Sequence, residues 1–328
     1  MEILTPKVIA WGRLGAKLPF ANHEVESDIL AWKPDLVHFH SVHIGPFIGI
    51  ARVLRRWGIP YVVTPHGGFA PGRLAQVGPE VRAFINFLEK PYLNGARFVH
   101  AVSRNDAEGL RMLGVHIQSV VIPNGIDLTT LPTQTDFTLL RRRFPVLGDK
   151  RIFLFLGRLD TAHKGLDLLL EAFAIAALPE ARLVLVGPDW RGSLSRLQEQ
   201  TTQLGLADRV VFTGPIYGEE KWAYLAGADI FLHPSRWEGS SFSVLEALAM
   251  GKPVLVSQAA DPGELGTLKA GLIVEPNMEA LTSALRDLAM TDQEDLVQMG
   301  EQAKKIVKEH YCWRNIAKNI VEAYGRAV

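Results

Sequence analysis

Arg151-Ile152-Phe153-Leu154-Phe155-Leu156 runs into Gly157-Arg158-Leu159-Asp160-Thr161-Ala162-His163-Lys164-Gly165 and then into the helical stretch Leu166–Ala177. A strand with one wet face alternates apolar and polar residues. This one is apolar from Ile152 to Leu156, so both of its faces need cover, as in a parallel sheet flanked by helices. The same kind of short run recurs at Leu36–His40, Tyr61–Thr64, Phe98–Ser103 and Ser119–Ile122, and then at Arg182–Val186, Arg209–Thr213, Asp229–Leu232, Pro253–Val256 and Gly271–Val274. Helical segments such as Ser193–Leu204 and Met278–Ala289 lie between them. Repeated β-α units predict an α/β fold of doubly wound parallel sheets.

The chain has 328 residues, which is more than one hydrophobic core usually serves, so two domains are expected. Lys+Arg and Asp+Glu both total 35, which removes any global electrostatic argument for nucleic acid. The single cysteine, Cys312, can form no disulfide within the chain, in keeping with a reducing compartment. No apolar run reaches the roughly 18–20 residues of a membrane helix, and Met1–Phe20 lacks the apolar core of a signal peptide. A cytoplasmic protein is the expectation. Peripheral contact with the inner face of the membrane stays open through helix Pro46–Trp57, where Arg52, Arg55 and Arg56 stand beside Phe47, Ile48, Ile50 and Val53; a solvated basic helix is the plainer reading.

The boundary is expected between Pro123 and Lys150, where the turn Pro123-Asn124-Gly125-Ile126-Asp127 precedes a polar stretch. The expected division is 1–130 for a first Rossmann-like domain, 131–310 for a second, and 311–328 for a terminal helix. The first domain is short of parts. Only a weak strand around Val8–Trp11 is visible near the start, and Gly12 and Gly15 form no G-x-G-x-x-G pattern. The expectation is an incomplete N-terminal domain lacking roughly 70–90 residues, if a full one runs to about 150–200.

Three loops carry candidate chemistry. In the first, Arg158 and Lys164 stand where a buried strand hands over to a helix. Lys164 lies near a helix N-terminus, where its charge opposes the dipole unless an anion such as a diphosphate offsets it. Two ordinary surface cations are the alternative. In the second, Glu238-Gly239-Ser240-Ser241-Phe242-Ser243-Val244-Leu245-Glu246 separates two glutamates by a glycine, serines and a helix start. Backbone can approach a ligand closely there, free N–H groups suit phosphate, and a carboxylate one turn further in can accept from a vicinal diol such as ribose. Against this, Ser243-x-x-Glu246 is also a capping-box pattern, and Glu238 can simply be a solvated loop acid. In the third, Thr64-Pro65-His66-Gly67-Gly68 puts a histidine at a strand end, suited to bonding a sugar hydroxyl or a reacting group, or merely to capping its loop. Seven of the ten histidines precede residue 130, but His38, His40 and His43 lack a completing carboxylate or cysteine, so no metal site is expected.

The order G-R-x(5)-K-G then E-x(7)-E, preceded by the His-Gly loop, resembles retaining glycosyltransferase family four, whose fold is GT-B. His233-Pro234-Ser235 and Glu246-Ala247-Leu248-Ala249-Met250-Gly251-Lys252-Pro253-Val254 are similar to that family's signature, and Pro123–Asp127 to its inter-domain motif. The resemblance runs from about Pro34 to the C-terminus. It implies a glycosyltransferase moving a sugar from a UDP- or GDP-sugar to a glycan or lipid-linked acceptor, with retention, in cell-surface polysaccharide or glycolipid synthesis, with no tightly bound cofactor. It implies that Arg158 and Lys164 bind the donor diphosphate and stabilise it as leaving group. Glu246 would hold the ribose, and Glu238 with Gly239, Ser240, Ser241 and Phe242 the sugar. Gly187 and Ile216 would line the donor site, with Thr213–Ile216 near the base. His66 would reach the sugar from the other domain, making His66, Glu238, Arg158 and Lys164 the catalytic set. The last helix, Trp313–Tyr324, looks like the family's helix that returns to the first domain. The middle of the glutamate motif, Ser240 to Ser243, departs from the commoner glycine-rich form. Two other readings stay open: a non-catalytic GT-B partner that binds nucleotide without turnover, and a nucleotide-sugar epimerase.

Overall fold

The computed structural model describes residues 23–263, 265–266 and 268–328. The weak strand expected at Val8–Trp11, with Gly12 and Gly15, lies outside them. Contacts divide the described residues into two units, residues 23–123 with 317–328, and residues 124–316.

In the first unit, strands β1 (Val37–His40), β2 (Tyr61–Thr64), β3 (Phe98–Ala101) and β4 (Ser119–Val121) form one parallel sheet in chain order. The helices α1 (His23–Trp32), α2 (Gly45–Arg56) and α3 (Arg104–Met112) belong to the same unit. Proline stands in the first turn of α2, where its missing N–H costs nothing. Ile48, Ile50, Ala51, Val53 and Leu54 of α2 are buried, while Arg52, Arg55 and Arg56 are exposed. The apolar side chains that membrane insertion would need are therefore turned into the core with Phe39, Val63 and Val99. No helix among the described residues is long and apolar enough to cross a membrane.

In the second unit, β5 (Arg151–Leu156), β6 (Ala181–Val186), β7 (Val210–Gly214), β8 (Ile230–His233), β9 (Val254–Ser257) and β10 (Gly271–Val274) form a parallel sheet ordered β10-β9-β8-β5-β6-β7. Its longer helices are α4 (Leu166–Ala176), α5 (Ser193–Gln203), α6 (Glu219–Gly227), α7 (Phe242–Ala249), α8 (Met278–Met290) and α9 (Gln293–Ile306), and α10 (Trp313–Gly325) starts at its end. The continuous apolar runs do what their pattern predicts. Ile152 and Leu154 of β5, Val184 and Val186 of β6, and Phe231 of β8 enter one core. Phe153 and Phe155, Leu183 and Leu185, and Ile230 and Leu232 enter a second on the opposite face. Each such fully buried side chain contributes roughly 1.5–3 kcal/mol of transfer free energy.

Pro123–Asp127 leads into this unit. Ile126 N–H donates to the Tyr311 carbonyl at 2.8 Å, and Trp313 N–H to the Ile126 carbonyl at 3.0 Å. A side chain at Gly125 would meet the Trp313 ring at 2.8 Å, so this turn needs glycine for space. The helix α10 begins in the second unit, and from Ala317 onward it belongs to the first.

Candidate active site

Strands β5, β6 and β7 run outward in one direction from the middle of the second sheet, and β8, β9 and β10 in the other. The order reverses between β5 and β8. In open parallel sheets this is the place where ligands bind, in the crevice beyond the strands' C-terminal ends. The segments that follow β5, β6, β7 and β8, four adjacent strands, carry every candidate donor-binding residue, with Phe242 and Glu246 on the helix Phe242–Ala249 after β8.

The loop after β5 opens with Gly157. Asp160 caps the short helix Thr161–Lys164 by accepting from His163 N–H at 3.2 Å. That helix ends at Gly165, whose φ of 64° is left-handed; a Cβ there would also stand 2.4 Å from the Pro234 carbonyl. The loop after β8 thereby closes on the loop after β5. Arg236 adds a fork onto Asp167, with both bonds at 2.8 Å, and a bond to the Thr161 carbonyl at 2.7 Å. Across this seam Lys164 Nζ donates to Glu238 Oε1. The same oxygen accepts from His233 Nε2 at 2.9 Å and Ser235 Oγ at 2.8 Å.

Both charges are buried, at 8% exposure each. The readings of Glu238 as a solvated loop acid and of Lys164 as a surface cation are thus corrected; the seam at Gly165 pulls both inward. Burial by itself would raise the Glu238 pKa. The hydrogen bond from His233 and the charge of Lys164 outweigh it and hold the carboxylate well below its usual range. His233 donates from Nε2, so its neutral ring carries a bare lone pair on Nδ1. That atom is buried without a partner among the described residues, with the ring between Phe155 and Phe231. His163 stacks on Trp237 at 4.8 Å and donates to its carbonyl at 2.7 Å. Burial, then Lys164, lowers its pKa to about 4.

Arg158 is exposed, its guanidinium 4.4 Å from the centre of the Trp190 ring. Gly187 has a φ of 149°, and a Cβ there would stand 1.7 Å from the Gly157 carbonyl. Its N–H is already given to Gly214 at 3.0 Å, so Gly187 serves the packing of strand ends. Ile216, after β7, packs on the core. The helix α7 starts at Phe242 after Ser241, with no side-chain cap. The capping box expected of Ser243 and Glu246 is absent because the helix begins before Ser243. Glu246 instead takes Lys221 of α6 at 2.7 Å. Gly239, Ser240 and Ser241 stay half-buried before this uncapped helix start, and Phe242 is exposed.

His66 lies in the first unit at the end of β2, with a φ of 52°, and its Nε2 is 3.0 Å from Nδ1 of His40. Burial, then His40 and His100, lowers its pKa to about 4. Beside it runs a hydrogen-bonded chain. His100 Nε2 donates to the Ile122 carbonyl at 2.7 Å, so its Nδ1 accepts from Thr64 Oγ1 at 2.9 Å. Thr64 accepts from His38 Nε2 at 2.6 Å, and His38 Nδ1 accepts from the Tyr324 hydroxyl.

The family model for glycosyl transferases group 1 matches residues 136–306, and that for glycosyltransferase family 4 matches residues 3–130. The chain belongs to the glycosyl transferases group 1 family. Relatives in that company include a D-inositol 3-phosphate glycosyltransferase of Geodermatophilus obscurus, 30% identical over 89% of this chain and 66% of its own length. Another is a GDP-mannose-dependent alpha-(1-6)-phosphatidylinositol monomannoside mannosyltransferase of Mycolicibacterium smegmatis, 30% identical over 61% of this chain and 54% of its own length. The chain thus spans about two thirds or less of these curated relatives. The fold is shared with the sucrose-phosphate synthase of Thermosynechococcus elongatus, at a TM-score of 0.74 and 23% identity, covering 92% of this chain and 76% of that one. It is shared equally with Anabaena HepE, solved with UDP and glucose, at a TM-score of 0.74 and 21% identity, covering 92% and 80%. Two Rossmann-like parallel-sheet units are the architecture of this family member.

Sequence reasoning quoted His233 and Ser235 only within the resembling signature and gave them no role, and it missed Arg236, Asp167, Trp237 and Lys221. The signal for His233 and Ser235 was their place at the end of a buried strand. Nothing local marked Asp167 or Lys221, whose partners lie 69 and 25 residues away.

Proposed function

We propose that this chain transfers a sugar from a nucleotide-sugar donor, bound in its second unit, to a glycan or lipid-linked acceptor. The observation that carries this is the contact of Lys164 with Glu238 at the switch point, on the loops after β5 and β8. An ammonium in that crevice is matched to a diphosphate, and it has further N–H groups to offer beyond the one given to Glu238.

On this reading Arg158 and Lys164 bind the diphosphate. As the bond between the anomeric carbon and phosphate breaks, negative charge grows on the departing nucleotide, and the two cations with the uncapped start of α7 stabilise it. They supply the charge that a divalent cation supplies elsewhere, so EDTA is expected to leave turnover unchanged. Glu238 and the backbone from Gly239 to Phe242 hold the sugar, Glu246 the ribose, and Ile216 the neighbourhood of the base. His66 of the first unit is the proposed further catalytic group. Retention of configuration and a role in surface polysaccharide or glycolipid synthesis complete the proposal. The name of the mannosyltransferase relative and the UDP bound by HepE favour a panel of GDP- and UDP-sugars as first probes.

Donor consumption measured with that panel is the test. Arg158→Ala and Lys164→Met should each lower it at least ~100-fold, as loss of a group meeting transition-state charge does. Near-normal turnover in both variants overturns the reading. Tight nucleotide binding by calorimetry with no consumption of any donor would favour the non-catalytic partner. Release of an isomerised sugar without acceptor, followed by NMR, would favour the epimerase.

A further inference from the structure

Lys221 stands in the first turn of α6, after Gly218. A cation at a helix N-terminus opposes the dipole, so something must draw it there. The acids of its own turn do not. Neighbours one and two residues apart face different ways on a helix, and Glu220 pairs instead with Arg143 at 2.7 Å. Lys221 reaches out of its own βα unit, with Nζ 4.2 Å from the centre of the Trp222 ring, to Glu246 Oε1 at 2.7 Å on α7. The two side chains are 24% and 19% exposed. A pair this far buried gains little net stability, because desolvation of the two charges offsets their attraction, so stability is a poor reason for the arrangement. Its definite effect is geometric, because it holds the Glu246 carboxylate in one orientation.

We infer that Lys221 is a positioning residue of the donor site, one that makes Glu246 selective for a vicinal ribose diol. The inference rests on the reading of Glu246 as the ribose ligand. A carboxylate has about four acceptor sites, and Lys221 uses one, which leaves capacity for two hydroxyl donors. A hydroxyl bound at Oε1 lies beside the ammonium, so it can donate to the glutamate and accept from the lysine at once. A deoxyribose lacks one of the two hydroxyls that this acceptor–donor pair addresses, and leaves buried polar capacity unmet.

The test is calorimetry on the full chain with UDP, GDP and ADP, then with the 2′-deoxy form of whichever binds most tightly. The unchanged protein should prefer the ribonucleotide by about tenfold or more, the effect of one well-made hydrogen bond to a charged group. Lys221→Met should lower that preference to roughly threefold or less, and Lys221→Arg should restore most of it. The preference is a ratio within one protein sample, so a smaller folded fraction does not change it. Glu246→Gln is the control and should also lose the preference. If Glu246→Gln loses it and Lys221→Met keeps it, the Lys221 inference is overturned while the donor-site reading stands. If both keep it, the assignment of Glu246 falls as well.

Discussion

Glu238 is a carboxylate whose ionised form burial alone would disfavour, kept ionised by the hydrogen bond from His233 and the charge of Lys164. Because Lys164 and Glu238 are both buried, removing one strands the other. Lys164→Met and Glu238→Gln should each destabilise the second unit by about 3–5 kcal/mol in urea unfolding, and the double variant by less than their sum. The histidines set a pH window. His66 and His163 fall from the ordinary 6.5 to about 4. Above pH 6.5 folded and unfolded chains are both neutral at these sites. Below it the unfolded chain takes up protons first, so stability is lost as pH falls from 6.5 toward 4. Glu238, depressed in the fold, adds a loss that begins as pH drops below its ordinary 4.5. Thermal unfolding between pH 7 and pH 4 should show this fall, and His163→Asn and His66→Asn should each make it shallower.

At the level of elements, the crevice is shaped by two glycines at the ends of strands and helices. Gly187 lets the end of β6 lie against Gly157, and Gly165 lets the loop after β8 lie against the start of α4. Gly192, at the start of α5, has a φ of 75° but open space around it. Its replacement by alanine meets only backbone strain, about 1–2 kcal/mol. Gly187→Ala meets strain and a backbone clash, so it should cost at least ~3 kcal/mol and reduce nucleotide binding. Equal unfolding midpoints for the two variants would contradict this account. The helix α7 contributes through its uncapped start, a consequence of its beginning at Phe242, ahead of the capping box its sequence spells.

For the whole molecule, the proposed donor residues from Arg158 to Glu246 all fall within residues 124–316, and that unit has its own cores on both faces of its sheet. Nucleotide at about 100 times its Kd stabilises its binding unit by about 2.7 kcal/mol. Hydrogen exchange should therefore show added protection in β5, β8 and α7 when UDP or GDP is present, with β1–β4 unchanged. Protection gained in the first sheet alone would place the nucleotide elsewhere.

All ten strands of the described residues were legible from residues alone, their ends within two positions, because a run such as Ile152–Leu156 can be satisfied only by cover on both faces. Arg158, Lys164, Glu238 and Glu246 were legible as candidates through their loops' glycines and charges. Which of them meet was not. Lys164 and Glu238 are 74 residues apart, and their contact exists because β8 pairs with β5 rather than with β7. Strand order is decided by how helices cover the sheet, a property of no single segment. Local periodicity and turn chemistry thus determined the elements and their candidate side chains. Tertiary packing alone decided that a buried lysine faces a buried glutamate, that Glu246 is held by Lys221, and that the apolar side of α2 belongs to the core.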